Sequence, residues 1–399
     1  MQNGHSPKPL VISGYSSQDF SARIAQELGS RLAQVSYKKH DDGEISTTLD
    51  GNVRNRDVVV VASASGSPNT QEKETRLLMR AARQGGAKSI TLVLPYMFYG
   101  RSDSSFDTRS APALADTIYT LRGLCDNVIV MDPHNPGLTD ALFKEASNMK
   151  SSTMVNFAYP FAVQVRDLFN QQVISRHSLM LTYPDVGASK RITRNFRQCV
   201  YGVLDLPMNP ERSDEWTQVM KTRDHRTGAI NVSVNADVTG RDIVVFEDMI
   251  ASGGTACDIA ALLKERGART VTLFASSGLF TAKKARADKA AEHPLAAVRR
   301  IDESALDAVF ITDTYDHRLI NPGMHQAIAD SNTIHVLPTA PFVAGMLKLL
   351  HMEVTEDMQD EDNSISALLR GQHAWQQDPA QTVAQAVPLK AGCTLRMPV

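Results

Sequence analysis

Two acidic residues stand between an apolar run and a string of small residues. Ile243–Phe246 is apolar, Glu247 and Asp248 follow it, and the string that ends at Thr255 reads Ala-Ser-Gly-Gly-Thr. Small residues let the backbone approach a phosphate closely, and the free N–H groups at the start of a helix point toward it. The two carboxylates suit the vicinal hydroxyls of a ribose. The segment Val244–Thr255 therefore predicts a binding site for a ribose phosphate.

Side-chain hydroxyls add to this interpretation of the segment. The Ser252 and Thr255 hydroxyls and the concave row of backbone N–H groups would supply further donors to a phosphate. An ordinary glycine-rich turn with an exposed acidic pair is the alternative, and the two glycines taken alone would favour it. The full string after a strand favours the phosphate site. The residues assigned to this site are Glu247, Asp248, Ala251, Ser252, Gly253, Gly254 and Thr255.

Apolar runs of strand length alternate along the chain with longer amphipathic stretches. Strands that are apolar on both faces and are followed by helices predict parallel sheets covered on both sides. We therefore predict a doubly wound α/β architecture, in which ligands bind beyond the carboxyl ends of the strands. The predicted strands are Asp57–Ala62, Ser89–Tyr96, Asn127–Met131, Ser178–Tyr183, Asp242–Glu247, Thr270–Ala275 and Ala308–Thr312. The predicted helices are Thr70–Gln84, Ala111–Arg122, Ser189–Cys199, Thr255–Arg266 and Ala282–Glu292.

A faint internal repeat bears on the domain organisation. Asn52–Pro68 and Asp237–Thr255 share an Arg-Asp pair, an apolar strand and a loop of small residues. Two copies of one α/β unit would explain the likeness, and chance similarity of two strands is the alternative. The predicted domains are residues 8–158 and 159–335, followed by a closing helix and acidic segment at 336–370. The Gln-, Ala- and Pro-rich tail, 371–399, is expected to be mobile or an appended interaction segment.

Composition argues against several classes of protein. With 399 residues and a formal net charge of −2, the chain has no overall field that would attract nucleic acid or an anionic membrane. No run approaches the roughly 20 apolar residues of a membrane span, and the N-terminus lacks a signal-peptide pattern. The four cysteines lie far apart, which argues against a disulfide framework or a cysteine zinc site. We expect no nucleic-acid or membrane partner and a cytoplasmic location.

Several further motifs accompany Val244–Thr255. They are KHDDGEI (Lys39–Ile45), LPYMFYGRSD (Leu94–Asp103), TRSAPALAD (Thr108–Asp116), VMDPHN (Val130–Asn135), TYPDVGASKR (Thr182–Arg191) and TAPFVAGMLKLLH (Thr339–His351). Together, from about Leu10 to Arg370, they resemble the ribose-phosphate pyrophosphokinases and occur in that family's order. Phosphoribosyltransferases share the glycine string, but they give no reason for the other motifs.

The resemblance implies a fold, an activity and an assembly. It implies two tandem phosphoribosyltransferase-like domains and an ATP- and Mg²⁺-dependent diphosphotransferase of nucleotide biosynthesis. The reaction would move the β,γ-diphosphoryl group of ATP to the anomeric hydroxyl of ribose 5-phosphate, giving phosphoribosyl diphosphate and AMP. The enzyme would be a homo-oligomer, a hexamer assembled from dimers, in which one subunit contacts the adenine held by its neighbour.

Site residues are implied in the same way. Those for ATP are His40, Asp42, Glu44, Arg101, Ser102, Asp103 and His134. Those for magnesium are His134 and Asp185, and Asp185 would also face the ribose hydroxyls. Because magnesium is satisfied by a carboxylate, waters and phosphate oxygens, we expect no dense ligand cluster.

The family also carries a catalytic Lys-x-Arg pair on a loop after a strand of the second domain. We interpret Cys199–Asp205 as that strand and Lys221 and Arg223 as the pair, with Arg226 as a nearby substitute and Leu206–Met220 as an insertion. Two cations on a mobile loop would close over the triphosphate and neutralise charge that develops during transfer. His134 completes the catalytic set.

This sequence departs from the family at positions that would face ligands. Ala251-Ser252 stands where Asp-Thr is usual and Glu247 where Asp is usual; Ser102 and Ser104 replace Gln and a cation; and His40 occupies an aromatic position. The missing carboxylate at 251 leaves room for a bulkier acceptor such as ADP-ribose. Three hypotheses stay open: transfer to ribose 5-phosphate, the same transfer to an ADP-ribose-type acceptor, and a non-catalytic regulatory homologue.

Overall fold

The computed structural model describes residues 8–103, 109–184, 194–206, 216–223, 230–234, 236–282 and 291–351, with backbone alone for 194–195, 216–223, 230–233 and 351. These residues form two compact units. One runs to Asn156 and includes Thr314–Leu319 and the segment from Thr339; the other comprises Phe157–Asp313 and Ile320–Pro338. Asp185, Ser104, Arg226, most of the helix expected over Ala282–Glu292, and the tail lie outside the described residues.

The first unit is built on a parallel sheet with strand order β1-β4-β5-β6-β7, beside a separate β2-β3 hairpin. Its strands are β1 (Leu10–Ser13), β2 (Gln34–Lys39), β3 (Ile45–Asp50), β4 (Asp57–Val61), β5 (Ser89–Leu94), β6 (Asn127–Met131) and β7 (Ser151–Val155). Its helices are α1 (Gln18–Leu28), α2 (Pro68–Gln84), α3 (Ala113–Leu121), α4 (Pro136–Lys144) and, from the end of the chain's described part, α10 (Ala340–His351). Helices α2, α3 and α4 pack in succession, whereas α1 packs against α10.

The second unit contains a sheet with order β10-β9-β8-β11-β12-β13-β14, parallel except for β10. Its strands are β8 (Leu179–Tyr183), β9 (Trp216–Arg223), β10 (Ile230–Val234), β11 (Asp242–Ile250), β12 (Thr270–Gly278), β13 (Ala308–Thr312) and β14 (Ile334–Leu337). Its helices are α5 (Ala158–Asn170), α6 (Arg194–Leu204), α7 (Gly254–Glu265), α8 (Ala296–Asp302) and α9 (Pro322–Asp330). The order runs outward in both directions from β8 and β11, so this α/β sheet is doubly wound as predicted.

The two units repeat one design, which favours duplication over chance as the source of the sequence repeat. In both, a strand, a hairpin and then four further strands follow one another along the chain, and the first strand and the last four lie side by side in the same sheet order. The hairpin joins the sheet in the second unit and is separate in the first. Detailed contacts repeat as well. In each unit a carboxylate accepts a bond from the backbone N–H of a strand residue 36 positions earlier, and it pairs with a cation on the helix that precedes that strand. The two sets are Asp126 with Ile90 and Arg83, and Asp307 with Val271 and Lys264.

The hydrophobic pattern explains why the sheets form, and where one prediction failed. Strand β5 is buried along its whole length, as parallel strands covered on both faces are. Cys199–Asp205, however, is not a strand, because Cys199–Leu204 is the second half of α6. Phe196, Cys199, Val200 and Leu204 are buried while Gly202 is exposed, which is helical periodicity rather than alternation.

A search of the described residues for a helix long and apolar enough to cross a membrane found none.

Candidate functional site

The glycine loop, Ala251–Thr255, joins β11 to α7 at the carboxyl edge of the second sheet. Helix α7 begins at Gly254, so its first backbone N–H groups are unsatisfied by the helix itself and face the loop side. The helix dipole places partial positive charge at the same end. The loop therefore has the geometry expected of an anion site.

Gly253 gives the loop its turn. Its φ of 78° and ψ of −12° lie in the left-handed region, where residues with a Cβ are strained. A Cβ added there would lie 3.3 Å from Ile301 Cγ1 on α8. Gly253 is thus required both by its backbone conformation and by the close approach of α8.

The loop is fixed on its other side by the chain that follows β12. Backbone N–H groups of Leu279 and Thr281 donate to the carbonyl oxygens of Ile250 and Ala251, at 2.8 and 2.9 Å. These two bonds hold the start of the glycine loop against the chain that follows β12. The loop is built on rigid elements on both flanks.

The acidic pair is part of β11 itself. Glu247 is half-buried and Asp248 is buried at 5% exposure. The Asp248 backbone N–H donates to Glu247 Oε1 at 3.0 Å, so this carboxylate is turned back along its own strand. Strand β11 extends to Ile250, three residues beyond the predicted end. The acidic pair therefore lies near the carboxyl end of the strand, just before the loop.

The glycine loop lies at the point where the strand order reverses. Strand β8 is the parallel neighbour of β11, with Thr182 beside Val245, and the chain leaves β8 at Tyr183. Both strands thus deliver their following loops to one edge, at the switch point where open α/β sheets bind ligands. Asp185 follows β8 by two residues, and its own position is outside the described part of the chain.

Lys221 and Arg223 lie in strand β9 rather than in a loop, which corrects the prediction for their backbone. β9 pairs with β8 in parallel up to Gln218 and then continues, paired with β10, to Arg223. Because β9 is parallel to β8, Lys221 and Arg223 extend roughly 10 and 16 Å past the carboxyl end of β8, at about 3.3 Å per residue. By the same strand register, Lys221 is level with Met249 of β11 and Arg223 with Ala251 at the start of the glycine loop.

In the first unit, the loops after β5 and β6 are tied together. Asn135 Nδ2 donates to Asp103 Oδ2 at 3.0 Å, and the Asn135 side chain also caps α4 through Leu138 N at 3.3 Å. His134 and Asp132 precede the cap; both are half-buried, and Asp132 has a φ of 37°. Asp103 and His134, which the resemblance implies for ATP, thus lie on loops that meet at one sheet edge.

Comparison with known proteins shows which proteins this chain resembles. Residues 10–121 match the family model for the N-terminal domain of ribose phosphate pyrophosphokinase. The ribose-phosphate pyrophosphokinase of Hyphomonas neptunium is 29% identical over 348 residues, which is 86% of this chain and 96% of that protein. That of Agrobacterium fabrum is also 29% identical, over 76% of this chain and 86% of its own. This chain is similar to ribose-phosphate pyrophosphokinases over most of its length.

The fold agrees with that of a solved structure. The crystal structure of phosphoribosylpyrophosphate synthetase from Mycobacterium smegmatis superposes with a TM-score of 0.66 at 21% identity, over 86% of this chain and 99% of that one. The predicted α/β fold of phosphoribosyltransferase-like type is confirmed.

The remaining predicted residues have distinct surroundings. Arg101 is exposed, whereas the Ser102 hydroxyl accepts a bond from Ala113 N at 3.3 Å and so helps to start α3. This contact gives Ser102 a structural reason to be there, in addition to the nucleotide role implied by the motif.

The β2–β3 hairpin tip carries His40, Asp42 and Glu44, all exposed. Asp42 Oδ1 accepts from Glu44 N at 3.0 Å, and His40 Nε2 lies 3.3 Å from Ser46 Oγ. The tip is an ordered turn whose side chains face outward, which is compatible with contact to a second subunit.

Among the described residues, no group of three or more His, Cys, Asp or Glu side chains forms a metal cluster. The donors at the β6 edge, the Asp132 carboxylate and the His134 imidazole, fit a cation that takes most of its ligands from water and phosphate.

Sequence reasoning missed two residues that shape these loops. Asn135 stands before Pro136, which is a recognisable helix-start signal, but its bond to Asp103 could not be foreseen. Arg300 donates from Nη1 to the carbonyl oxygen of Ser252 in the glycine loop. It lies 48 residues away in the chain, and no local pattern marks it.

Proposed function

We propose that this chain transfers the β,γ-diphosphoryl group of ATP to the anomeric hydroxyl of ribose 5-phosphate, giving phosphoribosyl diphosphate and AMP. The observation that carries the proposal is the glycine loop at the switch point of the second sheet, in a chain whose first unit has the family's nucleotide motifs. The similarity to ribose-phosphate pyrophosphokinases supports the same activity.

In this reaction the anomeric oxygen attacks the β-phosphorus of ATP. A new O–P bond forms, the bond from the β-phosphorus to the α,β-bridging oxygen breaks, and AMP leaves with that oxygen. The hydroxyl proton is released. Such a transfer needs alignment and charge neutralisation more than covalent catalysis.

The second unit would hold the acceptor. Backbone N–H groups of the glycine loop and the Ser252 and Thr255 hydroxyls would bind the 5-phosphate, and Glu247 and Asp248 would accept bonds from the ribose hydroxyls. Asp185 would join them from the loop after β8. Lys221 and Arg223 would neutralise charge on the transferred group.

The first unit would hold ATP. Arg101, Ser102 and Asp103 would bind the nucleotide together with His134, and Asp103 would be oriented by Asn135. We propose that His134 and Asp185 also contact Mg²⁺, which when bound would neutralise phosphate charge and orient the triphosphate. The chain's own groups leave most of the coordination to water and phosphate oxygens.

We further propose that the active form is a cytoplasmic homo-oligomer. The exposed hairpin tip with His40, Asp42 and Glu44 would contact adenine held by a neighbouring subunit, so that assembly would complete the nucleotide site. A dimer-based particle, a hexamer in the family's pattern, would satisfy this.

Ala251 favours a second acceptor of the same class. Because no carboxylate stands at this loop position, an acceptor with a diphosphate substituent such as ADP-ribose meets less repulsion there. The site would otherwise act in the same way.

The test is AMP release from ATP and Mg²⁺ by the purified full chain, with ribose 5-phosphate, ADP-ribose or unphosphorylated ribose as acceptor. The proposal predicts AMP in equal amount to the acceptor consumed, with ribose 5-phosphate the best of the three. Faster turnover of ADP-ribose than of ribose 5-phosphate would identify ADP-ribose as the acceptor. Absence of AMP release with all three acceptors would support the hypothesis of a non-catalytic homologue.

A further inference from the structure

Arg300 on α8 binds the backbone of the glycine loop through its side chain. Its Nη1 donates to the carbonyl oxygen of Ser252, and its Nη2 pairs with Glu292 Oε1 at 2.6 Å. The side chains of Arg300 and Glu292 are 26% and 23% exposed, so the pair is largely shielded. Arg300 is therefore tethered at both sides of its guanidinium fork.

The backbone of α8 is also locked to the loop and to α7. Cys257 Sγ lies 3.6 Å from the Arg300 carbonyl oxygen, to which it donates. Burial raises the pKa of this thiol, so it stays neutral as a donor. Gly253 lies against Ile301, as described above. Helix α8 thus contacts the loop at Ser252 and Gly253 and contacts α7 at Cys257.

The bond to Ser252 has a directional consequence. The Ser252 carbonyl and the Gly253 N–H belong to one planar trans peptide, so they point to opposite sides. With the carbonyl held toward Arg300, the Gly253 N–H is directed away from the Arg300 guanidinium. That N–H belongs to the row of donors that a phosphate at the start of α7 would meet.

We propose that Arg300 is a positioning residue that sets the orientation of the Ser252–Gly253 peptide and so preorganises the glycine loop for the acceptor phosphate. This rests on the proposed function for the identity of the ligand, but not for the effect on the loop. Arg300 itself does not touch the ligand. Its fork is needed because one arm holds Ser252 while the other is held by Glu292, which a single ammonium group cannot reproduce.

Two readouts on the full chain test the proposal. The first is hydrogen–deuterium exchange of a peptide that covers Ala251–Cys257, compared between wild type, Arg300→Met, Arg300→Lys and the control Arg299→Met. Arg299 is an exposed neighbour on the same helix. Faster exchange in this peptide is expected for both Arg300 variants and not for the control. Glu292→Gln, which weakens the second tether, should give a smaller effect.

The second readout is the KM for ribose 5-phosphate. Arg300→Met should raise it about tenfold to a hundredfold, the range for loss of one charge-assisted hydrogen bond, with the KM for ATP changed less than twofold. Arg300→Lys should raise the KM for ribose 5-phosphate less than Arg300→Met does. Circular dichroism checks that each variant is folded.

The outcomes separate this inference from the proposed function. Unchanged exchange of the loop peptide in both folded Arg300 variants would overturn the positioning role, whatever the enzyme does. A wild-type chain that releases no AMP, but whose loop exchange responds to Arg300, would overturn the function and leave the positioning role standing. An equal rise in both KM values would show a general structural effect and count against the proposal.

Discussion

Gly253→Ala is the substitution whose effect follows most directly from the loop geometry. An L-residue at a φ of 78° costs roughly 1–2 kcal/mol. The new Cβ would lie 3.3 Å from Ile301 Cγ1 and 3.7 Å from the Ala297 carbonyl oxygen. That contact requires a shift of a few tenths of an ångström, so the total cost is about 1–3 kcal/mol. It is expressed as lower stability, or as a loop displaced from its binding geometry.

Urea unfolding and acceptor kinetics measure the two forms of this cost. At about 1.4 kcal/mol per factor of ten, the KM for ribose 5-phosphate should rise by up to about a hundredfold if the loop absorbs the strain. Gly254→Ala is the matched control, because a Cβ there meets just Ser252 Oγ, at 4.0 Å, and the residue begins α7. It should leave stability unchanged or raise it by up to about 1 kcal/mol. A Gly253→Ala variant that matches wild type in both assays, or a Gly254→Ala variant that is destabilised as much, would contradict this cost at Gly253.

Three further predictions concern other parts of the chain. Burial raises the pKa of Glu74 from about 4.5 to about 7, although Tyr15 N donates to it at 2.9 Å. The folded state therefore holds a proton that the unfolded chain has released, and stability should fall as pH rises from 5 to 7, by up to about 3 kcal/mol; Glu74→Gln should flatten this slope in urea titrations, and an unaltered slope would refute it. Lys221→Ala should lower kcat by about 100- to 1000-fold with little change in acceptor KM, and a KM-only effect would mean that Lys221 is wrongly assigned. Asp103→Ala, which removes the partner of Asn135, should raise the KM for ATP roughly tenfold, and a matching rise for the acceptor would argue against a nucleotide-side role.

Local patterns were enough to predict the glycine loop. A strand apolar on both faces, an acidic pair and small residues that open a helix are all contiguous, so the local sequence specifies the strand, the turn and the start of the helix. That the loop donates to a phosphate stays a prediction. The same holds for β5 and β6, which were predicted within two residues at each end. Strands β2 and β3 were not predicted, because their residues are exposed or half-buried and form no apolar run.

Contacts between distant residues could not be predicted from one sequence. Arg300 meets Ser252 across 48 residues, and Asn135 meets Asp103 across 32. The assignment of Cys199–Asp205 to a strand failed because a short apolar run fits a strand and a buried helix face equally well. The longer burial pattern from Phe196 to Leu204 distinguishes the two.

The most direct test of the central claim is to follow the phosphorus atoms. The purified full chain is incubated with ATP, Mg²⁺ and ribose 5-phosphate, and the products are followed by ³¹P NMR. The β and γ phosphorus signals of ATP are expected to move together into a diphosphate attached to C1 of the ribose phosphate, with AMP formed in equal amount. Formation of ADP with a single transferred phosphoryl group, or no acceptor-dependent change, would contradict it.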